Sequence, residues 1–211
     1  YWCELVMDDF APQGISNSLW AFATLGHTLQ PELIAKFSQA IRRQLKDFKS
    51  MELSNVVWAL ATMKTQLDPP DVFDELLDEM HASIKAIPNM WSSQSVSNTL
   101  WAIATLDGEP RELRARHVDY LNTLCAYVER KANTFVCQGL ANTLWALATL
   151  EYKPSMKMLE AATARWSELA KDIYISECSN LLWSYASLRF NPGDELLTRV
   201  AELYLCVEEP E

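Results

Sequence analysis

The sequence is poor in glycine, with five in 211 residues, and it carries no Cys-x-x-Cys pair among its five cysteines. Scarce glycine and abundant Ala and Leu over long periodic stretches point to helix rather than strand. Cys3, Cys125, Cys137, Cys178 and Cys206 are odd in number and unmatched in spacing, which argues against a disulfide framework or a structural zinc site. They read as free thiols of a reducing compartment. His27, His81 and His117 share no ligand spacing, so no metal or other cofactor is expected. There is no apolar run of about 18 residues, so no transmembrane helix is expected. The chain begins at Tyr1 without a basic-then-apolar leader and reads as a piece of a longer protein or a mature form. No phosphate loop, nucleophile–base set or paired-carboxylate motif is present, and no enzyme is expected. The acidic run from Asp71 to Glu79 reads as the polar face of a helix.

Positive charge is also short. Eighteen Lys and Arg face twenty-eight Asp and Glu, for a net charge of −10. Residues 51–110 hold two basic side chains against nine acidic ones. Affinity for phosphates comes largely from Lys and Arg, so such a chain starts at a disadvantage as a polyanion binder.

What the sequence does contain is a repeat. Five segments align without gaps: Asn17-Ser-Leu-Trp20-Ala-Phe-Ala-Thr-Leu25, Asn55-Val-Val-Trp58-Ala-Leu-Ala-Thr-Met63, Asn98-Thr-Leu-Trp101-Ala-Ile-Ala-Thr-Leu106, Asn142-Thr-Leu-Trp145-Ala-Leu-Ala-Thr-Leu150 and Asn180-Leu-Leu-Trp183-Ser-Tyr-Ala-Ser-Leu188. The tryptophans are 38, 43, 44 and 38 residues apart. Each segment reads as a first helix, A, followed by a Pro-marked turn and a second helix, B, with apolar residues at helical spacing. The expected fold is therefore all-α: a right-handed α-solenoid of about five helix-turn-helix repeats of 38–44 residues. The expected divisions are residues 1–10 as helix B of a truncated preceding repeat, then repeats at 11–50, 51–88, 89–131, 132–172 and 173–211.

On a helical wheel with Asn at the origin, Ile15, Leu19, Phe22 and Ala23 form the buried arc of the first A helix. The Trp lies at the edge of that arc and reads as core filler. The Asn falls on a narrow polar arc and reads as a ladder running from repeat to repeat: Asn17, Asn55, Asn98, Asn142 and Asn180. Gln13, Gln94 and Gln138 stand four residues earlier on the same arc. Two neighbouring positions vary. Three before the Asn they are Gly14, Glu52, Ser95, Gly139 and Glu177; one after it they are Ser18, Val56, Thr99, Thr143 and Leu181. A constant scaffold with one or two variable positions per repeat is the arrangement of modular one-base-per-repeat RNA readers. Together these positions form the candidate RNA-binding face. Arg42, Arg43, Lys46, Arg130 and Lys131, near helix ends, are the candidate phosphate contacts.

The wording of the units resembles the octotricopeptide repeat, a family of tandem helix pairs in which Gln-x-Leu-Ala-Asn precedes a Leu-Trp-Ala-Leu-Ala-Thr/Lys-Leu helix. The match is fullest at Gln138-Gly-Leu140-Ala-Asn142-Thr-Leu-Trp145-Ala-Leu-Ala-Thr-Leu150, and the resemblance spans roughly residues 10–206. The family's proline-rich start of helix B is degenerate here, as in Pro31-Glu32-Leu33 and Pro110-Arg111-Glu112, and this chain is acidic where the family is commonly basic. The resemblance implies sequence-specific binding of single-stranded RNA in a chloroplast or mitochondrion, in RNA stabilisation, processing or translation. The alternative is a protein-interaction scaffold within an organellar ribosome or other large assembly, which the net charge favours. Neither reading involves membrane insertion or a small-molecule substrate.

Overall fold

The computed structural model describes residues 10–65, 67–69, 71–105, 109–169 and 175–205, so residues 1–9, the bulk of the expected truncated helix B, lie outside the described residues. The described residues form ten α-helices and three short 3-10 turns, with no strand among them. They are α1 (Pro12–Thr24), α2 (Pro31–Gln44), α3 (Ser50–Met63), α4 (Asp71–Ala86), α5 (Ser93–Thr105), α6 (Pro110–Lys131), α7 (Cys137–Thr149), α8 (Met156–Leu169), α9 (Ile175–Leu188) and α10 (Asp194–Leu205). This is the architecture of an α-solenoid-like helical repeat. No helix among the described residues is long and apolar enough to cross a membrane.

Local chemistry sets the helix ends. Proline occupies the first turn of α1, α2 and α6, where its missing N–H leaves nothing unsatisfied. The odd-numbered helices are the A helices, and each begins five residues before its repeat Asn. Four of them end in the same Schellman turn. In α1, Gly26 N–H donates to Ala23 O and His27 N–H to Phe22 O, at 3.1 and 2.9 Å. The same pair recurs at Lys64 and Thr65, at Glu151 and Tyr152, and at Arg189 and Phe190. Rings then pack across the turn, Phe22 on His27 at 5.6 Å and Tyr185 on Phe190 at 5.5 Å. The turn needs a left-handed residue nine positions after the Asn. Gly26 adopts φ 65° without strain, whereas Lys64, Glu151 and Arg189 hold φ 50°, 50° and 53° with a Cβ present, at a cost of about 1 kcal/mol each.

The chain forms two compact units, residues 1–107 and 108–211. In the first, α1 packs on α3 and α3 on α5, with α2 and α4 beside them. Its core joins Ile15, Leu19, Leu53, Val57, Leu60, Leu100 and Ile103 of the A helices to Phe37, Ile41, Leu76, Met80 and Ile84 of the B helices. In the second, α7 packs on α9 and α6 on α8. Its core holds Leu121, Leu124, Val128, Leu140, Leu144, Leu147, Leu159, Trp166, Tyr185 and Val200. Helix α6 comprises two helical stretches meeting at His117, whose φ of −111° and ψ of 17° are non-helical.

Short 3-10 turns (Leu45–Asp47, Pro88–Met90, Ala132–Thr134) close three B helices. A buried aromatic follows each of them: Phe48, Trp91 and Phe135. All three stand seven residues before a repeat Asn, and Phe10 stands at the same place before Asn17.

Candidate nucleic-acid interface

In α3 and α7 one stripe of the A helix reaches solvent. In α3 the reason is plain: α1 and α5 both pack on it, α4 also touches it, and the residues between these contacts are what remains. At about 100° per residue, the positions −4, 0, +3 and +7 from the Asn fall within an arc of about 60°. These positions hold Gln, Asn, Trp and Thr in most repeats. In the first unit they are Gln13, Asn17, Trp20 and Thr24, then Met51, Asn55, Trp58 and Thr62, then Gln94, Asn98, Trp101 and Thr105. In the second unit they are Gln138, Asn142, Trp145 and Thr149, with Asn180, Trp183 and Ser187 on α9.

The tryptophans correct the reading from sequence. They do not fill the core. Trp20 and Trp183 are 47% and 49% exposed, and Trp58, Trp101 and Trp145 are half-buried. Trp58 and Trp101 lie with ring centroids 6.4 Å apart and planes tilted by 35°. The tryptophans that do serve the core are Trp91 and Trp166, outside the repeat motif.

The asparagines differ from expectation too. Among the described residues none of the five repeat Asn side chains is hydrogen-bonded, so they do not tie one repeat to the next; Gln13, Gln94 and Gln138 are likewise unpaired and exposed. Each carboxamide keeps its donors and acceptor for an outside partner. The hydroxyls at +7 are engaged in part: Thr62 Oγ1 donates to Trp58 O at 2.8 Å, and Thr105 Oγ1 donates to Trp101 O.

The variable columns lie elsewhere. Val56, Thr99, Thr143 and Leu181 are all fully buried, and only Ser18 is part-exposed. A wheel drawn for one helix treats this flank as surface, whereas in α3 it is closed by a second A helix. The opposite flank is closed as well, by Ser16, Ser54, Ser97 and Ala141, small enough to let neighbouring A helices come close. The column at −3 is the third residue of each helix and serves the helix start. Glu52 carboxylate accepts from Lys49 N–H at 2.8 Å. Ser95 is buried, and its N–H donates to Ser92 Oγ at 3.0 Å. Gly14 is required by close packing, since a Cβ there would stand 2.5 Å from the Phe10 ring. Gly139 is buried and Glu177 half-buried.

The buried hydroxyls give a direct check. Thr99 Oγ1 donates to Ser95 O at 2.8 Å, while Thr143 Oγ1, at the matching place, has no partner. Thr143→Val is expected to raise stability by about 1–2 kcal/mol and Thr99→Val to leave it level or lower. Urea unfolding midpoints test this; a loss of stability in Thr143→Val would refute the buried, unpaired placement.

The A helices carry no Lys or Arg at all, and Glu52 and Glu177 are their only charges. The candidate phosphate contacts lie on the B helices and their exits. Arg42 on α2 is already engaged: Nε and Nη2 donate to Glu75 at 2.8 and 2.9 Å, and Nη2 meets Asp71 at 2.8 Å. Those hydrogen bonds, to Glu75 first and Asp71 second, raise its pKa further. Arg42 is therefore withdrawn as a phosphate contact. Arg43, Lys46, Arg130 and Lys131 are exposed, the first on α2, the second in the following 3-10 turn and the last two in the final turn of α6.

The chemistry of the remaining polar groups is quiet. Cys125, Cys137 and Cys178 are buried and in no disulfide. Burial pushes the Cys125 thiol up to about 12, which keeps it protonated and unreactive. Tyr152 donates its hydroxyl to Asn122 Oδ1 at 2.6 Å; burial, then the neighbouring Cys125, push it up to about 12. Among the described residues no three His, Cys, Asp or Glu side chains gather as a metal set.

A stripe of carboxamides and indoles, repeated and almost free of charge, is suited to unstacked bases, which offer flat faces and hydrogen-bonding edges. Residues 15–83 match the family model described as FAST kinase-like protein, subdomain 1. The match runs from Ile15 in α1 to Ser83 in α4, inside the first compact unit. It supports a family of RNA-binding helical repeats and an RNA-related role, and it does not single out the octotricopeptide repeat. A comparison with curated proteins finds no match.

Proposed function

We propose that this chain is a non-catalytic helical-repeat module that binds single-stranded RNA along the Gln–Asn–Trp–Thr stripe of its A helices. The observation that carries this reading is the stripe itself: five repeat asparagines with unpaired carboxamides beside five solvent-reaching indoles. Trp faces stack bases, and Asn or Gln carboxamides bond base edges. The family match and the resemblance to octotricopeptide repeats support RNA as the partner, and the resemblance supports an organellar setting, chloroplast or mitochondrion, in RNA stability, processing or translation. Because the A helices hold no cation, base contacts dominate along the stripe.

A second reading has its own support. The absence of Lys and Arg from every A helix, with the net charge of −10, suits a protein-interaction scaffold, in which the same carboxamides bond an extended peptide backbone. Titration of the 211-residue chain with single-stranded and duplex RNA over a salt series, read by tryptophan quenching, separates the two. The RNA reading expects quenching by single strands with a shallow salt dependence and none by duplex. No single-strand binding at low salt would sink it and leave the scaffold.

A further inference from the structure

In the second unit the stripe runs into a cleft. It lies between the turns that end α7 and α9, has a volume of about 560 Å³, and is lined by Glu151, Tyr152, Lys153, Ser187 and Arg189 among others. Ser187 belongs to both: it is the +7 residue of the α9 stripe and a wall of the cleft.

Two cations line this cleft with no protein partner. Lys153 and Arg189 are exposed and make no ion pair or hydrogen bond through their side chains. Unlike Arg42, they remain available. The single acidic wall residue, Glu151, is partly offset, because Arg114 Nη1 lies 3.8 Å from its carboxylate and donates to its backbone oxygen.

Arg189 occupies the left-handed turn position that Gly26 fills in α1 and that Lys64 and Glu151 hold in α3 and α7. Two turns of one kind thus bring Glu151 and Arg189 to the cleft wall.

We infer that this cleft is a phosphate-binding site for the backbone of a single strand whose bases lie on Trp145 and Trp183. Lys153 and Arg189 supply the charge that the A helices lack, and Ser187 Oγ stands at the passage from stripe to cleft. The inference rests on the RNA reading above and adds where the backbone sits.

The test uses the full chain, an oligo(U) probe, and Arg189→Gly, Lys153→Ala and Lys85→Ala variants, with affinity measured over a salt series. Loss of one phosphate contact lowers the slope of log K against log salt by about 0.7 for a single strand. Arg189→Gly and Lys153→Ala are each expected to show that drop and weaker binding at low salt. Lys85→Ala, in the last turn of α4, is expected to leave the slope unchanged. Arg189→Gly should melt no lower than the unaltered chain, because glycine relieves the turn, so weaker binding cannot be laid to unfolding. Trp183→Ala should weaken binding at an unchanged slope. An unchanged slope in Arg189→Gly and Lys153→Ala, or an equal drop in Lys85→Ala, overturns the cleft and leaves the RNA reading standing. No oligo(U) binding by the unaltered chain overturns both.

Discussion

Replacing Trp166 by Ala is expected to cost about 3–5 kcal/mol and to unfold the second unit, whereas the same change at Trp183 should cost no more than about half as much. The two residues are of one type, 17 positions apart in sequence. Trp166 on α8 is 1% exposed, and removing its indole leaves a cavity lined by the rest of the core. Trp183 on α9 is 49% exposed, so about half of its surface is already in water in the folded chain. Urea unfolding followed by circular dichroism measures both. Comparable losses in the two variants would show that the repeat tryptophans support the core after all.

Removing the paired indoles of the first unit has the opposite profile. Trp58→Ala with Trp101→Ala is expected to weaken single-strand RNA binding by about 1–3 kcal/mol per base released, while each substitution alone costs less stability than Trp166→Ala. Asn98→Asp should weaken binding too, since it keeps the size of the side chain and sets a negative charge toward the ligand. Base preference is a separate readout. Thr99→Val, buried and facing no ligand, should leave preference for A, C, G or U unaltered, while Asn98→Gln should change it. Altered preference in Thr99→Val with preference intact in Asn98→Gln would return the reading role to the variable column.

The helical repeat was legible in the sequence because its signals are local. Asn-x-x-Trp-Ala-x-Ala-Thr fixes a helix, Pro12, Pro31 and Pro110 mark helix starts, and Ile15 and Leu19 are buried as their spacing implies. The site was less legible, because exposure in a stack depends on how many neighbours a helix has. Val56 and Thr143 vary between repeats and so resemble surface positions, yet both are fully buried. Inside a stack, variation reflects local repacking. The tryptophans misled for the complementary reason: a large aromatic residue defaults to the core on composition, and only three-dimensional packing shows that the core was already filled by Leu, Ile and Val. Arg42 was out of reach as well, since its partners lie 29 and 33 residues further along the chain. A further signal in the sequence is the aromatic seven residues before four of the five repeat Asn, at Phe10, Phe48, Trp91 and Phe135.

That aromatic has a consequence for how such an array can be lengthened or shortened. Phe48, Trp91 and Phe135 are inserted from the segment that leaves one B helix and enters the next A helix. Trp91 Nε1 donates to Ser83 Oγ at 3.3 Å, so this aromatic is tied back to α4, the B helix it follows. A cut just ahead of Trp91 parts that pair, whereas a cut at the start of α5 keeps both on one piece of chain. At this junction the frame for duplication, deletion or exchange of repeats begins with the A helix, and the aromatic travels with the repeat before it.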